Sequence, residues 1–479
     1  MFSILNHPQR FTGNMSRREL LTTGGAGLLG LSLPQMLQAE QQQIVNPFQG
    51  GKAKSVIFLF LFGGPSQLET FDLKPEAPSE IRGPFQPIAS RTPGLQISEH
   101  LPHLAEISDK YSVIRSMTHT FNDHSGGGHY VQTGKRWHIP IGAGFDATPK
   151  DWPSMGSVVE YLTQHSPGGL DRDLPNYSVV PNRLGRLQAG GRYIRPGEYA
   201  GWLGRAYNPL STTVDNRDST DNPYWRDCTD EELSFEIEGL APEVPLKTIR
   251  RRVALLEHFD GMKRNFDKAD SQVFDRFRQR ALALLTSNNT RNALNIKDEP
   301  NPLRDKYGRH LFGQSCLMAR RLVEAGVRFV TVHYDCVDGY SWDSHRNSDD
   351  VKNNLLPTFD QGCAALLADL DQRGMLDDTL VIAMGEMGRT PKPNSSWGRG
   401  HWSQLFPALV AGAGIQGGTT YGSSDRLASR PAEHPVSPED LAATIYWALG
   451  IDPGLMLPDA LDRPIPIVDG GEPLRQLFG

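Results

Sequence analysis

The chain has 479 residues, of which 38% are hydrophobic, and a formal net charge of −6. This length holds one large domain or two ordinary ones, each with its own core, and the acidic balance argues against a nucleic-acid-binding surface. The four cysteines, Cys228, Cys316, Cys336 and Cys363, show no CxxC spacing. That excludes a zinc ribbon or a disulfide framework and leaves open one or two bridges or buried thiols.

The N-terminus reads Ser16-Arg17-Arg18-Glu19-Leu20-Leu21, a twin-arginine motif, followed by the apolar run Gly24 to Leu33 and a small-residue cleavage pattern ending at Ala39. Residues 1–39 are therefore expected to be a twin-arginine signal peptide that delivers a folded chain to the periplasm or the extracellular space. The apolar run falls far short of the ~20 residues of a membrane span, so no stable transmembrane anchor is expected. One α/β domain is expected over 50–479.

Ser55 to Phe62 (SVIFLFLF) is an uninterrupted apolar run closed by Gly63-Gly64-Pro65, the pattern of a buried central strand. Further strands are predicted at Tyr111–Met117, Tyr177–Val180, Arg328–His333, Leu380–Met384 and Ala408–Ala411. Helices are predicted at Leu246–Leu285, Leu311–Ala325, Leu355–Gln372 and Pro438–Leu449. The last opens Ser437-Pro438-Glu439-Asp440, with a capping Ser, a Pro at the first helical position and an acid to complete the box. Residues 135–225, rich in Gly, Pro, Trp and Tyr, read as a loop-rich insertion draped over the sheet. The charged segment 229–300 reads as a helical excursion. Strands alternating with helices predict an α/β three-layer sandwich around a mostly parallel sheet.

Polar clusters follow several of these strands, the position where open α/β sheets build their sites. After 111–117 comes His119-Thr120-Phe121-Asn122-Asp123-His124-Ser125-Gly126-Gly127-Gly128-His129, read as a functional loop. After 328–333 come Asp335, Asp338, Asp343 and His345; an acid and an imidazole two residues apart can face one ion. Glu386 and Arg389 follow the strand ending at Met384, and Arg399 and His401 precede the next apolar run. Arg389 either clamps a tetrahedral anion or pairs with Glu386. The glycines at 63–64 either admit a ligand or make a turn. Ser66 lies in no GxSxG elbow.

The order of strand-GGPSQLETFD, HTFNDHSGGGHYVQTGK, WDSH, TLVIAMGEMGRTP, GRGHW and SPEDLAATIYWALGID resembles the exported family called domain of unknown function 1501. That family is distantly similar to the alkaline phosphatase and sulfatase superfamily. The resemblance implies an alkaline-phosphatase-like sheet carrying a metal site. Asp343, His345 and His401 resemble metal ligands there, and Glu386 stands where an Asp-His pair is expected. His124 occupies the nucleophile position in place of Ser or Thr, with Asp123 beside it.

The expected function is metal-assisted hydrolysis of phosphate or sulfate esters. Asp343, His345, Glu386 and His401 would hold a divalent ion of zinc, calcium or magnesium type, and His124, Asp123 and Arg389 would be catalytic. The partner would be an anionic small molecule or polysaccharide. The alternative is a non-catalytic descendant that binds an anionic glycan or another exported protein.

Overall fold

A computed structural model describes residues 47–479 apart from 143, 145, 168, 170–173, 188–192, 215–221, 238–286, 336–340 and 460. The expected signal peptide and most of the expected helical excursion lie outside the described residues, as does Asp338. Among the described residues nine strands form the central sheet. In chain order seven of them are β1 (Ser55–Phe60), β2 (Tyr111–Met117), β3 (Tyr177–Val180), β4 (Leu210–Thr213), β5 (Glu236–Ile237), β6 (Phe329–His333) and β7 (Thr379–Met384). A small separate ribbon pairs β8 (Gly388–Arg389) with β9 (His401–Trp402). The last two sheet strands are β10 (Phe406–Ala411) and β11 (Thr419–Tyr421).

The order across the sheet is β11-β2-β10-β7-β1-β6-β3-β4-β5. Parallel pairing joins β7, β1, β6, β3 and β4, and β11 runs parallel to β2. Strand β10 is antiparallel to both β7 and β2, and β5 is antiparallel to β4. Every residue of β1, β6 and β7 is buried, which requires cover on both faces and fits the expected layering. Their continuous Val, Ile, Leu and Phe runs are what such doubly covered strands need.

Helix α1 (His124–Thr133) follows β2, and α2 is Met155–Gln164. Helices α3 (Leu311–Glu324) and α4 (Leu356–Gln372) pack on each other, and α3 lies along β1 and β6. Helix α5 (Pro438–Ala448) packs against α1 and begins with the capping box expected at Ser437 and Asp440. Cys316 and Cys363 are buried free thiols on α3 and α4, and Cys228 is half-buried, its sulfur near the Pro223 and Arg226 carbonyls. No helix among the described residues is long and apolar enough to cross a membrane.

This topology sets up the site. The carboxyl ends of β1, β2, β6 and β7 share one edge of the sheet because these strands run the same way. Strand β10 runs against them, so its start, and His401 just before it, returns to that same edge.

Candidate functional site

The turn after β1 is the floor. Gly63 has φ +112°, and a Cβ there would lie 2.3 Å from the Asp343 backbone nitrogen. Only glycine allows the β1 turn to sit this close to the Asp343 loop. The Gly63 N–H donates to both oxygens of Glu386, at 3.0 and 3.1 Å. The glycines of this turn thus serve backbone packing and hold a carboxylate.

Above that floor, one carboxylate gathers four cationic or imidazole side chains. Asp343 Oδ1 lies 2.6 Å from Arg389 Nη2, 2.9 Å from His345 Nε2 and 3.2 Å from His401 Nε2. Asp343 Oδ2 lies 3.1 Å from His124 Nε2. The Nε2 atoms of His345 and His401 are 3.0 Å apart. His124 is the first residue of α1, so the positive end of that helix faces the cluster.

His124 and His401 are oriented from behind. Glu386 Oε1 meets His124 Nδ1 at 2.5 Å, and the Asn122 carbonyl meets His401 Nδ1 at 2.8 Å. Acceptors at both Nδ1 positions put the ring protons there and, in the neutral rings, leave lone pairs at Nε2 aimed at Asp343. With its proton on Nδ1, neutral His401 can only accept at Nε2, so the 3.0 Å contact to His345 Nε2 needs either a proton on His345 or a cation between the two. One atom each from His124, Asp343 and His401 falls within 4.8 Å of the others, the grouping a metal ion would need, and His345 Nε2, 2.9 Å from Asp343 and 3.0 Å from His401, offers an alternative third ligand to His124. The residues present therefore fit a divalent ion.

Several residues singled out in the sequence hold other positions. Asp123 is the N-cap of α1, accepting from Gly126 N at 2.7 Å. Glu386 lies behind His124, its oxygens committed to Gly63 and to Nδ1, and does not face the Nε2 cluster. Arg389 is completely buried; it donates to the Gly63, Gly64 and Arg399 carbonyls as well as to Asp343. Its guanidinium locks the carboxylate in place, so its ion-pair partner is Asp343 and not its sequence neighbour Glu386. Arg399 makes a separate buried pair with Glu69 at 2.8 Å. His119 bridges the Glu386 carbonyl and the Phe121 N–H and is structural. Asp335 accepts from Gly185 N at 2.7 Å.

The loop-rich segment supplies a residue the sequence reading missed. Arg195 is buried and donates to Ser125 Oγ at 3.1 Å, one position after His124. Its guanidinium also lies over the Phe62 ring, whose centroid is 5.3 Å from that of His124. An Arg among Tyr, Ile, Pro and Gly carries no periodic signal, and nothing local links it to α1.

Burial opposes a charge on His124, but its bonds to Asp343 and Glu386 outweigh burial and raise its pKa to about 9. Burial likewise works against ionised Asp343, yet His124, His401 and Arg389 hold it far below the usual carboxylate range. Burial lowers His345 despite the pull of Asp343, and lowers His119 to about 4. Because His124 is raised from 6.5 to about 9, its stabilisation of the metal-free protein is complete below pH 6.5 and is lost as pH climbs through 9. Asp343, being depressed, keeps its contribution throughout that window. The unfolding midpoint of metal-free protein should therefore fall between about pH 6 and 10, and His124→Asn should flatten that slope. Parallel slopes in the two proteins would contradict the charged His124.

No curated protein matches the chain. Several solved structures show distant similarity. The PsFucS1 sulfatase from Pseudoalteromonas sp. is 12% identical, with TM-score 0.37, covering 91% of this chain and 72% of that one. An alkaline phosphatase from the Antarctic bacterium TAB5 is 13% identical, with TM-score 0.37, covering 84% and 99%. Ps i-CgsB in complex with k-i-k-neocarrahexaose is 10% identical, with TM-score 0.39, covering 83% and 72%. Likenesses this remote carry no weight for the chemistry, which rests on the side chains above. The family model described as "Protein of unknown function (DUF1501)" matches residues 53–478, and the chain belongs to that family.

Proposed function

We propose that this chain is an exported hydrolase of phosphate or sulfate esters that works with one divalent metal ion. The observation that carries the reading is the convergence of His345 Nε2 and His401 Nε2 on a single oxygen of Asp343. Those three residues would hold the ion, and the nitrogen-rich donor set suits zinc better than calcium or magnesium, which favour oxygen ligands. When bound, such an ion polarises the ester and lowers the pKa of a coordinated water. Arg389 fixes the Asp343 carboxylate, and Glu386 fixes the His124 ring so that Nε2 can take or give a proton at the reacting ester. The positive end of α1, with Arg195 beside Ser125, offsets the charge of the anionic group. Export rests on the twin-arginine signal alone.

A panel of phosphate and sulfate esters, assayed for released anion with zinc supplied, tests this. Turnover by the wild type and its loss in His345→Ala is the expected result. A second reading is a non-catalytic binder of the same anions. It is favoured by the metal-free charge balance at Asp343, where Arg389 and a protonated His124 already compensate the carboxylate. Stoichiometric anion binding with no turnover on the whole panel would select that reading.

A further inference from the structure

The β8–β9 ribbon has a second face. Arg389 and His401 are paired across it and turn toward Asp343. Neighbouring residues on a strand point to opposite sides, so Trp402 turns away from the cluster. On that far side a groove of about 610 Å³ is lined by Trp402, Ile81 and Pro391, with Lys392, Asp425 and Arg430 at its polar parts. The Trp402 indole N–H donates to the Ser429 carbonyl at 2.7 Å, which fixes the ring while leaving it half-exposed.

The charges in the groove are unequal. Asp425 is committed to its own loop, accepting from Leu427 N, Ser429 N and Ser429 Oγ. Lys392 and Arg430 are exposed, and neither forms an ion pair among the described residues. The groove thus presents a rigid apolar floor and two uncompensated cations on a protein whose net charge is −6. A neutral sugar would leave both cations unused, and an acidic peptide without a ring would leave the indole unused. A saccharide ring bearing an acid group uses all three, laying its C–H face on the indole and its anion against Lys392 and Arg430.

We propose that this groove is a binding site for an acidic saccharide, one pyranose ring with a sulfate or carboxylate substituent, distinct from the Asp343 cluster. The site needs no metal and no turnover, so it stands or falls separately from the hydrolase reading.

The test is calorimetric titration of the full chain with a sulfated oligosaccharide, a uronic-acid oligosaccharide, a neutral oligosaccharide and oligoglutamate. These titrations are repeated on His345→Ala and on the double variant Lys392→Gln/Arg430→Gln. At least one acidic oligosaccharide should bind wild type and His345→Ala alike, and the two acidic arms identify which acid group is read. The double variant should lose roughly tenfold or more in affinity, as expected for hydrogen bonds to charged groups, and the neutral oligosaccharide should not bind. Equal binding by the double variant, preference for oligoglutamate, loss of binding in His345→Ala, or no binding by either acidic oligosaccharide would each overturn the proposal.

Discussion

Asp343→Asn is expected to remove metal binding and hydrolysis together. The substitution keeps the shape of the side chain but deletes the charge that His124, His345, His401 and Arg389 all address. An amide presents one carbonyl oxygen where two anionic oxygens stood, and its NH2 must face an imidazole nitrogen or a guanidinium. Losing an orienting partner outside the ligand set already costs about 10–100-fold in metal affinity or activity. Loss of the shared anionic ligand should exceed that range. Arg389 is wholly buried but the Asp343 side chain is 31% exposed, so the fold also suffers, by less than the about 3–5 kcal/mol that breaking a fully buried pair costs. The three backbone carbonyls that remain around Arg389 should reduce the loss further. Zinc titration, ester turnover and denaturant unfolding read the three effects separately. Unchanged turnover would remove Asp343 from the mechanism.

Glu386→Gln is the second large effect, and it acts one layer away. The wild-type carboxylate accepts from Gly63 N and from His124 Nδ1. A glutamine carbonyl at the Oε1 position can still accept from both, but its NH2 then opposes the Gly63 N–H, which lies 3.1 Å from Oε2, and the charge that faces His124 is gone. Leaving that buried NH2 without an acceptor costs about 1–3 kcal/mol. His124 loses the group that fixes its tautomer and that helps raise its pKa, so its pKa should drop from about 9. We expect zinc stoichiometry to survive, turnover to fall roughly 10–100-fold, and the NMR titration of His124 to shift to lower pH. A His124 titration that does not move would show that Glu386 does not control this imidazole.

Much of the fold was legible because its signals are local. The runs at 55–60 and 379–384 are apolar after a leading Ser or Thr, the run at 177–180 carries a single Ser, and all three became fully buried strands. The Ser437 box marked the start of α5 within the chain itself. Helix α1 was not legible: HSGGGHYVQT contains three glycines, each unfavourable in a helix interior. The fold overrides that preference through close approach. A Cβ on Gly126 would lie 2.4 Å from the Phe121 ring, and one on Gly127 would lie 3.3 Å from the Glu386 carbonyl oxygen. The local signals that remained were Asp123 as N-cap and Gly134, at φ +66°, as C-cap.

The site was legible as a set of strand ends and less so as a set of roles. Asp343, His345, His401 and His124 converge as their positions after or before sheet strands suggested. Which residue stands in front and which behind is a long-range property. Glu386 and Arg389 are three residues apart, yet one holds His124 and the other holds Asp343, because the turn at Gly63-Gly64 is threaded between them. The reversed direction of β10 is equally non-local; no residue in Phe406–Ala411 encodes it.

Zinc titration of the metal-free chain, with His345→Ala and His401→Ala beside the wild type, tests the central claim most directly. The account predicts saturable binding of one zinc per wild-type chain and a loss of about 100-fold or more in each variant, the scale expected when a ligand is deleted. No binding by the wild type, or equal binding by all three proteins, would contradict it.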